Sequence, residues 1–163
     1  MSLALAYPHD PATGAPRPLA AMTLWSVAGR LRAAVARDGS PWALSTRALV
    51  ETVERLQVNG RLIASAWDFG QRVHDASGRE VFGVFETDPS TPGLALVSVN
   101  GQLIGDRPDL ELSTVAHEVG HIVFDAPPSI AAPTRRYRSV TVGPNCLDGA
   151  SAKAERRANA TAA

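Results

Sequence analysis

The sequence predicts an α+β domain with N-terminal helices, a three-stranded and mainly antiparallel sheet, one motif-bearing helix and a C-terminal helix. Three observations point there. Apolar residues recur at helical spacing in the first third of the chain, and strand-like runs separated by turn signals fill the middle. The pentapeptide His117-Glu118-Val119-Gly120-His121 then sits within a helix-spaced apolar stretch.

Composition sets the outer limits. A chain of 163 residues, 45% of them hydrophobic, is long enough for one domain with a real core. Sixteen basic and sixteen acidic residues cancel, so no net field draws the chain to nucleic acid or to a membrane surface. The single cysteine, Cys146, excludes an internal disulfide and a multi-cysteine zinc ribbon, and fits a reducing compartment. No apolar run approaches the length of a membrane span, and Met1 to Thr13 lacks the basic and long apolar regions of a secretory signal. A cytoplasmic location is the expectation, and oligomeric state is left open.

In chain order, residues 1–20 carry Pro8, Pro11, Pro16 and Pro18 around Gly14, which reads as a tail or an extended wrap preceding a single domain over 21–163. From Thr23 the spacing of Leu24, Val27, Ala28, Leu31, Ala34 and Val35 predicts a helix that Asp38-Gly39 ends. A second helix after Pro41 has Ala48, Leu49, Thr52, Val53 and Leu56 on its apolar face, with Arg47, Glu51 and Arg55 as an exposed charge ladder. Asn59-Gly60 is a turn signal, and strands are expected over Arg61 to Trp67, Glu80 to Thr87 and Leu94 to Asn100. The Asp88 to Gly93 link makes an antiparallel hairpin of the last two. Trp67 and Phe69 read as packing residues, and His74 as part of a polar loop.

Asp106 to cap, Pro108 in the first turn and Asp109 at the positive end predict a helix from about Pro108 to Phe124, stopped by Asp125-Ala126-Pro127-Pro128. Gly120 inside it implies close approach of a strand or of substrate backbone. Residues 126–150 read as irregular, with a basic cluster at Arg135, Arg136, Tyr137 and Arg138. A last helix starts near Asp148 or Ser151 and shares Ala152, Glu155, Asn159 and Ala162 on one face.

The chemistry follows from spacing. Helical residues four apart differ by about 40° in azimuth and about 6 Å in height, so His117 and His121 project toward one point and can hold one metal ion. Glu118, on the same turn, can reach a metal-bound water as general base without being a ligand. Catalytic zinc takes three protein ligands and keeps one position open. Glu155 is the best candidate for the third, with Asp125, Asp148 and Cys146 next. Asn159, one turn beyond Glu155, is placed to fix the tautomer of a ligand histidine. An oxyanion donor is needed as well, and Tyr137 or an arginine of the 135–138 cluster can supply it. The strand Leu94 to Asn100, read as an edge, offers strand addition to an extended substrate.

Thr114-Val115-Ala116-His117-Glu118-Val119-Gly120-His121, followed by Glu155-Arg156-Arg157-Ala158-Asn159, resembles the ImmA/IrrE metallopeptidases, whose pattern is a T-L-A-H-E-x-G-H helix and a later E-x-x-A-N helix. The first motif is specific for zincins as a class; the second singles out the family. The resemblance covers roughly the second half of the chain and implies a small zincin-like α+β domain, with Zn²⁺ on His117, His121 and Glu155 and with Glu118 as the base of peptide hydrolysis. It also implies a cytoplasmic regulatory protease whose substrate is a helix-turn-helix, repressor-like transcription regulator. The family's second helix usually runs on into a hydrophobic, proline-containing segment, whereas this sequence stops at Ala163. The other classes compatible with the motif are a non-catalytic zinc-binding regulatory module, closed by a fourth ligand such as Cys146 or Asp148, and an interaction protein in which metal is incidental.

Glu155 carries the most specific expectation. Glu155→Ala should shrink the zinc-induced rise in Tm and leave the zinc-free Tm little changed, because a ligand stabilises only through binding to the native state. Thermal melts with and without zinc test this; an undiminished shift moves the third ligand to another residue.

Overall fold

The computed structural model describes residues 3–36, 44–131, 136–140 and 157–160, and of 136–140 the backbone alone. In chain order the elements are β1 (Leu3–Leu5), α1 (Ala21–Val35), α2 (Thr46–Val53), β2 (Arg55–Val58), β3 (Arg61–Asp68), β4 (Gly83–Thr87), β5 (Leu94–Val99), α3 (Gly101–Ile104), α4 (Pro108–Phe124), α5 (Ala126–Ala131) and β6 (Arg136–Val140). A further helical turn covers 157–160. The α+β class is therefore observed, with a larger sheet than expected: six strands in the order β1-β2-β3-β5-β4-β6 instead of three. The pairing is mixed, since β1 with β2 and β3 with β5 run parallel while the other neighbours are antiparallel.

Burial alternates along the central strands. Ile63 and Ser65 of β3 and Ala95, Val97 and Val99 of β5 are buried, while Leu62, Ala66 and Leu96 face solvent. Such alternation marks a sheet covered on one face. The main core joins these strands to Val27 and Leu31 of α1, Leu49 and Val53 of α2, and Val115, Val119, Ile122, Val123 and Phe124 of α4. A smaller cluster of Val73, Val81 and Val84 lies apart from it. Among the described residues, no helix is long and apolar enough to cross a membrane.

Local chemistry explains most boundaries. Ser45 caps α2 by accepting from the Ala48 amide at 3.1 Å, and Arg47 pairs with Glu51 at 2.8 Å on its exposed side. The helix stops at Val53, so Arg55 and Leu56 belong to β2 and not to the helical face expected of them. Leu56 lies three residues after Val53 and two before Val58, so it satisfies both periods, and pairing on both sides of β2 decides for the strand. Asn59 and Gly60 take positive φ of 51° and 78°, the backbone of a two-residue hairpin turn between β2 and β3. The β4–β5 hairpin forms as expected, in the register Gly83 with Val99.

Three stretches read as irregular take part in the architecture. Leu3 to Leu5 pair with Leu56 to Val58, and Leu5 and Tyr7 are buried, so part of the proline-rich N-terminus is an edge strand. Pro127 and Pro128 end α4 yet occupy the first turn of α5, where a missing N–H removes no helical hydrogen bond. Residues 136–140 then pair with β4. Asn100 caps the short α3, accepting from the Leu103 amide at 3.0 Å. The end expected for α1 at Asp38-Gly39 lies outside the described residues.

Tyr7 fastens the N-terminal segment to α4. Its hydroxyl donates to the Val123 carbonyl at 2.8 Å, across 116 residues of sequence. Burial first, and the Asp125 carboxylate second, push the phenol above its ordinary pKa range, so it remains a donor. Tyr7→Phe should therefore lower unfolding free energy by about 1 kcal/mol in urea denaturation. An unchanged midpoint and slope would mean that the segment does not support α4.

Candidate metal centre

The helix α4 spans the expected residues, Pro108–Phe124, with a different cap. Arg107 occupies the cap position without a side-chain hydrogen bond, Pro108 takes the first turn, and Asp109 and Glu111 lie near the positive end. Asp106 is not the cap. From Thr114 to Phe124 every residue but Ala116 is buried, because α4 packs on β4 and β5 on one side and on α2 on another. The histidines and Glu118 are thus carried into the interior by the buried half of α4.

His117 and His121 turn toward each other. Their rings stand 4.9 Å apart at 72°, and their Nε2 atoms are 3.1 Å apart. Each ring is held from behind: His117 Nδ1 lies 2.9 Å from Asn159 Oδ1, and His121 Nδ1 lies 2.7 Å from Asp125 Oδ2. An amide oxygen and a carboxylate oxygen accept, so these contacts favour the tautomer with its proton on Nδ1 in both rings. Two Nε2 lone pairs at this distance repel unless a proton or a cation lies between them. Two nitrogens bound to one tetrahedral zinc at 2.0–2.1 Å would stand about 3.3 Å apart. The donor pair fits a single zinc ion.

Glu118 is fully buried, as is His121, and His117 is 5% exposed. Burying a carboxylate is costly, which makes such a residue a candidate for function. Strand β4 approaches so closely that a Cβ on Gly83 would lie 2.6 Å from Glu118 Oε1 and 3.1 Å from Thr114 Cγ2. Only glycine leaves that space to the carboxylate. Phe85, two residues along the same face of β4, stacks on His121 at 5.7 Å and 27°.

Of the residues expected at the site, His117, Glu118 and His121 lie on one turn of α4 with the two rings in contact, and Asn159 Oδ1 lies within hydrogen-bond distance of His117 Nδ1. Glu155, Cys146 and Asp148 lie outside the described residues. Among those that are described, no group of three His, Cys, Asp or Glu side chains forms a metal site. Asp125, the next candidate for a third ligand, has its Oδ2 on Nδ1 of His121, on the ring edge away from the converging Nε2 atoms. The backbone of Tyr137 pairs with Glu86, and that of Arg138 with Phe85.

One expectation about substrate fails. Strand β5 is central, flanked by β3 and β4, so its backbone has no open edge for an added strand. Asp125 was underrated by sequence reasoning, although its spacing of four from His121 was a usable signal. Arg157, whose Nη2 lies 3.4 Å from Asp125 Oδ1, was missed altogether. Comparison with protein-family models, with curated proteins and with solved structures finds no match for the chain.

Proposed function

We propose that the protein is a zinc-dependent endopeptidase. The observation that supports this most is the convergence of two Nδ1-anchored histidines on one point, with the buried Glu118 carboxylate one residue from the first of them. His117 and His121 would hold the ion, and Glu155 is proposed as the third ligand from the resemblance of its helix to the E-x-x-A-N segment. Bound there, zinc would act as a Lewis acid that acidifies water and polarises a peptide carbonyl.

The chain's own groups do the rest of the work. Glu118 accepts a proton from the attacking water and returns it to the leaving amine, so the same carboxylate serves as base and then as acid. Gly83 keeps room for that carboxylate beside β4, and Phe85 limits the tilt of the His121 ring. Asp125 and Asn159 hold both imidazoles in the tautomer whose Nε2 can ligate. A donor for the developing oxyanion is proposed from the β6 backbone region, at Tyr137 or Arg138. The zincin-like character, the cytoplasmic setting and a repressor-like protein substrate rest on the likeness of the two motifs to the ImmA/IrrE pattern.

Glu118→Gln separates base from ligand, since the amide keeps the shape and cannot take the proton. The zinc-loaded variant should retain the metal content of the parent and cleave a peptide library at least ~100-fold more slowly, read by mass spectrometry. Equal cleavage by parent and variant would contradict the assigned role.

A further inference from the structure

Asp125 grips His121 twice. Its backbone N–H donates to the His121 carbonyl at 2.8 Å, closing the last turn of α4, while its Oδ2 accepts from the His121 ring at 2.7 Å. A residue four positions later on the same helix face thus fixes both the main chain and the imidazole of one ligand. The other carboxylate oxygen faces away, toward Arg157 Nη2 at 3.4 Å. Asp125 is 3% exposed, and the guanidinium of Arg157 also lies 6.0 Å from the Phe124 ring centre.

Arg157 sits on the turn that carries Asn159, and Asn159 is the partner of His117 Nδ1. A single carboxylate therefore connects to both histidines, to His121 directly and to His117 by way of Arg157 and Asn159. We infer that Asp125 is the positioning residue of the centre, the group that fixes the His121 tautomer and docks the C-terminal turn onto α4 so that both Nε2 atoms converge. This rests on the zinc reading of the two histidines, and it adds a coupling that neither the motif nor its resemblance specifies.

A buried carboxylate behind a metal-binding imidazole acts by geometry and by raising ligand basicity, and losing such a partner typically weakens metal binding by about 10- to 100-fold. Charge matters for the second contact, because an amide in place of the carboxylate cannot pair with the guanidinium as an ion. Arg157→Gln, at a half-buried position, removes the docking contacts of the guanidinium to Asp125 and Phe124 and leaves the His121 hydrogen bond in place. Its effect must therefore appear at His117, the histidine that Arg157 does not touch.

The test uses the full chain as Asp125→Asn, Asp125→Ala and Arg157→Gln, with two readouts. Chelator competition measures zinc affinity, and long-range ¹H–¹⁵N correlation spectra of the zinc-free protein report which nitrogen of each histidine carries the proton. The expected results are a loss of zinc affinity of about 10- to 100-fold in both Asp125 variants, and loss of the Nδ1–H form of His121 in Asp125→Ala. In Arg157→Gln the His117 tautomer signal should change while that of His121 persists. If the parent binds zinc, unchanged affinity and tautomers in all three variants would overturn the role of Asp125 and leave the metal centre standing. If the parent binds none, the zinc reading falls, and the spectra alone decide: a His121 proton that stays on Nδ1 in Asp125→Ala overturns the inference, and one that moves supports it.

Discussion

Two imidazole nitrogens lie 3.1 Å apart in a buried interior, with the opposite nitrogen of each ring on an oxygen acceptor, an arrangement that a cation between them would stabilise. Much of the remaining structure can be understood as what keeps that arrangement from relaxing. In water the rings would turn apart. Here His121 is fully buried against Phe85, and each Nδ1–H has a fixed acceptor whose loss would leave a buried donor unsatisfied, at about 1–3 kcal/mol. The histidine pair is thus held by the C-cap of its own helix together with groups from β4 and the C-terminal turn.

The fold supplies those groups from three directions. The sheet brings β4 against α4, with Gly83 opposite Glu118 and Phe85 opposite His121, so a two-residue step along one strand matches the three-residue step from 118 to 121 on the helix. The N-terminal segment reaches the far end of α4 through Tyr7 and the Val123 carbonyl. The C-terminal turn closes the site through Asn159 and Arg157. Arg61 adds a fourth tie, donating to the Pro127 carbonyl at 3.1 Å and so joining β3 to the start of α5. Segments near both ends of the chain therefore bear on a single helix, and local loosening at either is expected to reach the histidine pair.

The sequence made α4 legible because several independent signals agreed there: Pro108 at its start, prolines after its end, apolar flanks and the four-residue histidine spacing. The β2–β3 turn was legible for a similar reason, since Asn-Gly suits positive φ at both positions. Other features depended on partners far away in sequence. Leu56 matched helix and strand periods equally, and only pairing with Leu3 and Ile63 distinguished them. Strand β5 looked like an edge because its neighbour β3 is reached across a parallel pairing that no turn signal announces. Prolines hid β1 and α5, although proline is compatible with the first turn of a helix and with the approach to an edge strand. Asp125 was read as a spare ligand because spacing gives proximity to His121 and not the side of the ring it meets.

The central claim is that zinc is held by the Nε2 atoms of His117 and His121, and X-ray absorption at the zinc edge of the zinc-loaded chain tests it most directly. The account predicts one zinc per chain in a shell of nitrogen and oxygen at about 2.0–2.1 Å, with the outer-shell scattering of two imidazoles. A sulfur shell at about 2.3 Å, or scattering without imidazole, would place the metal elsewhere and contradict it.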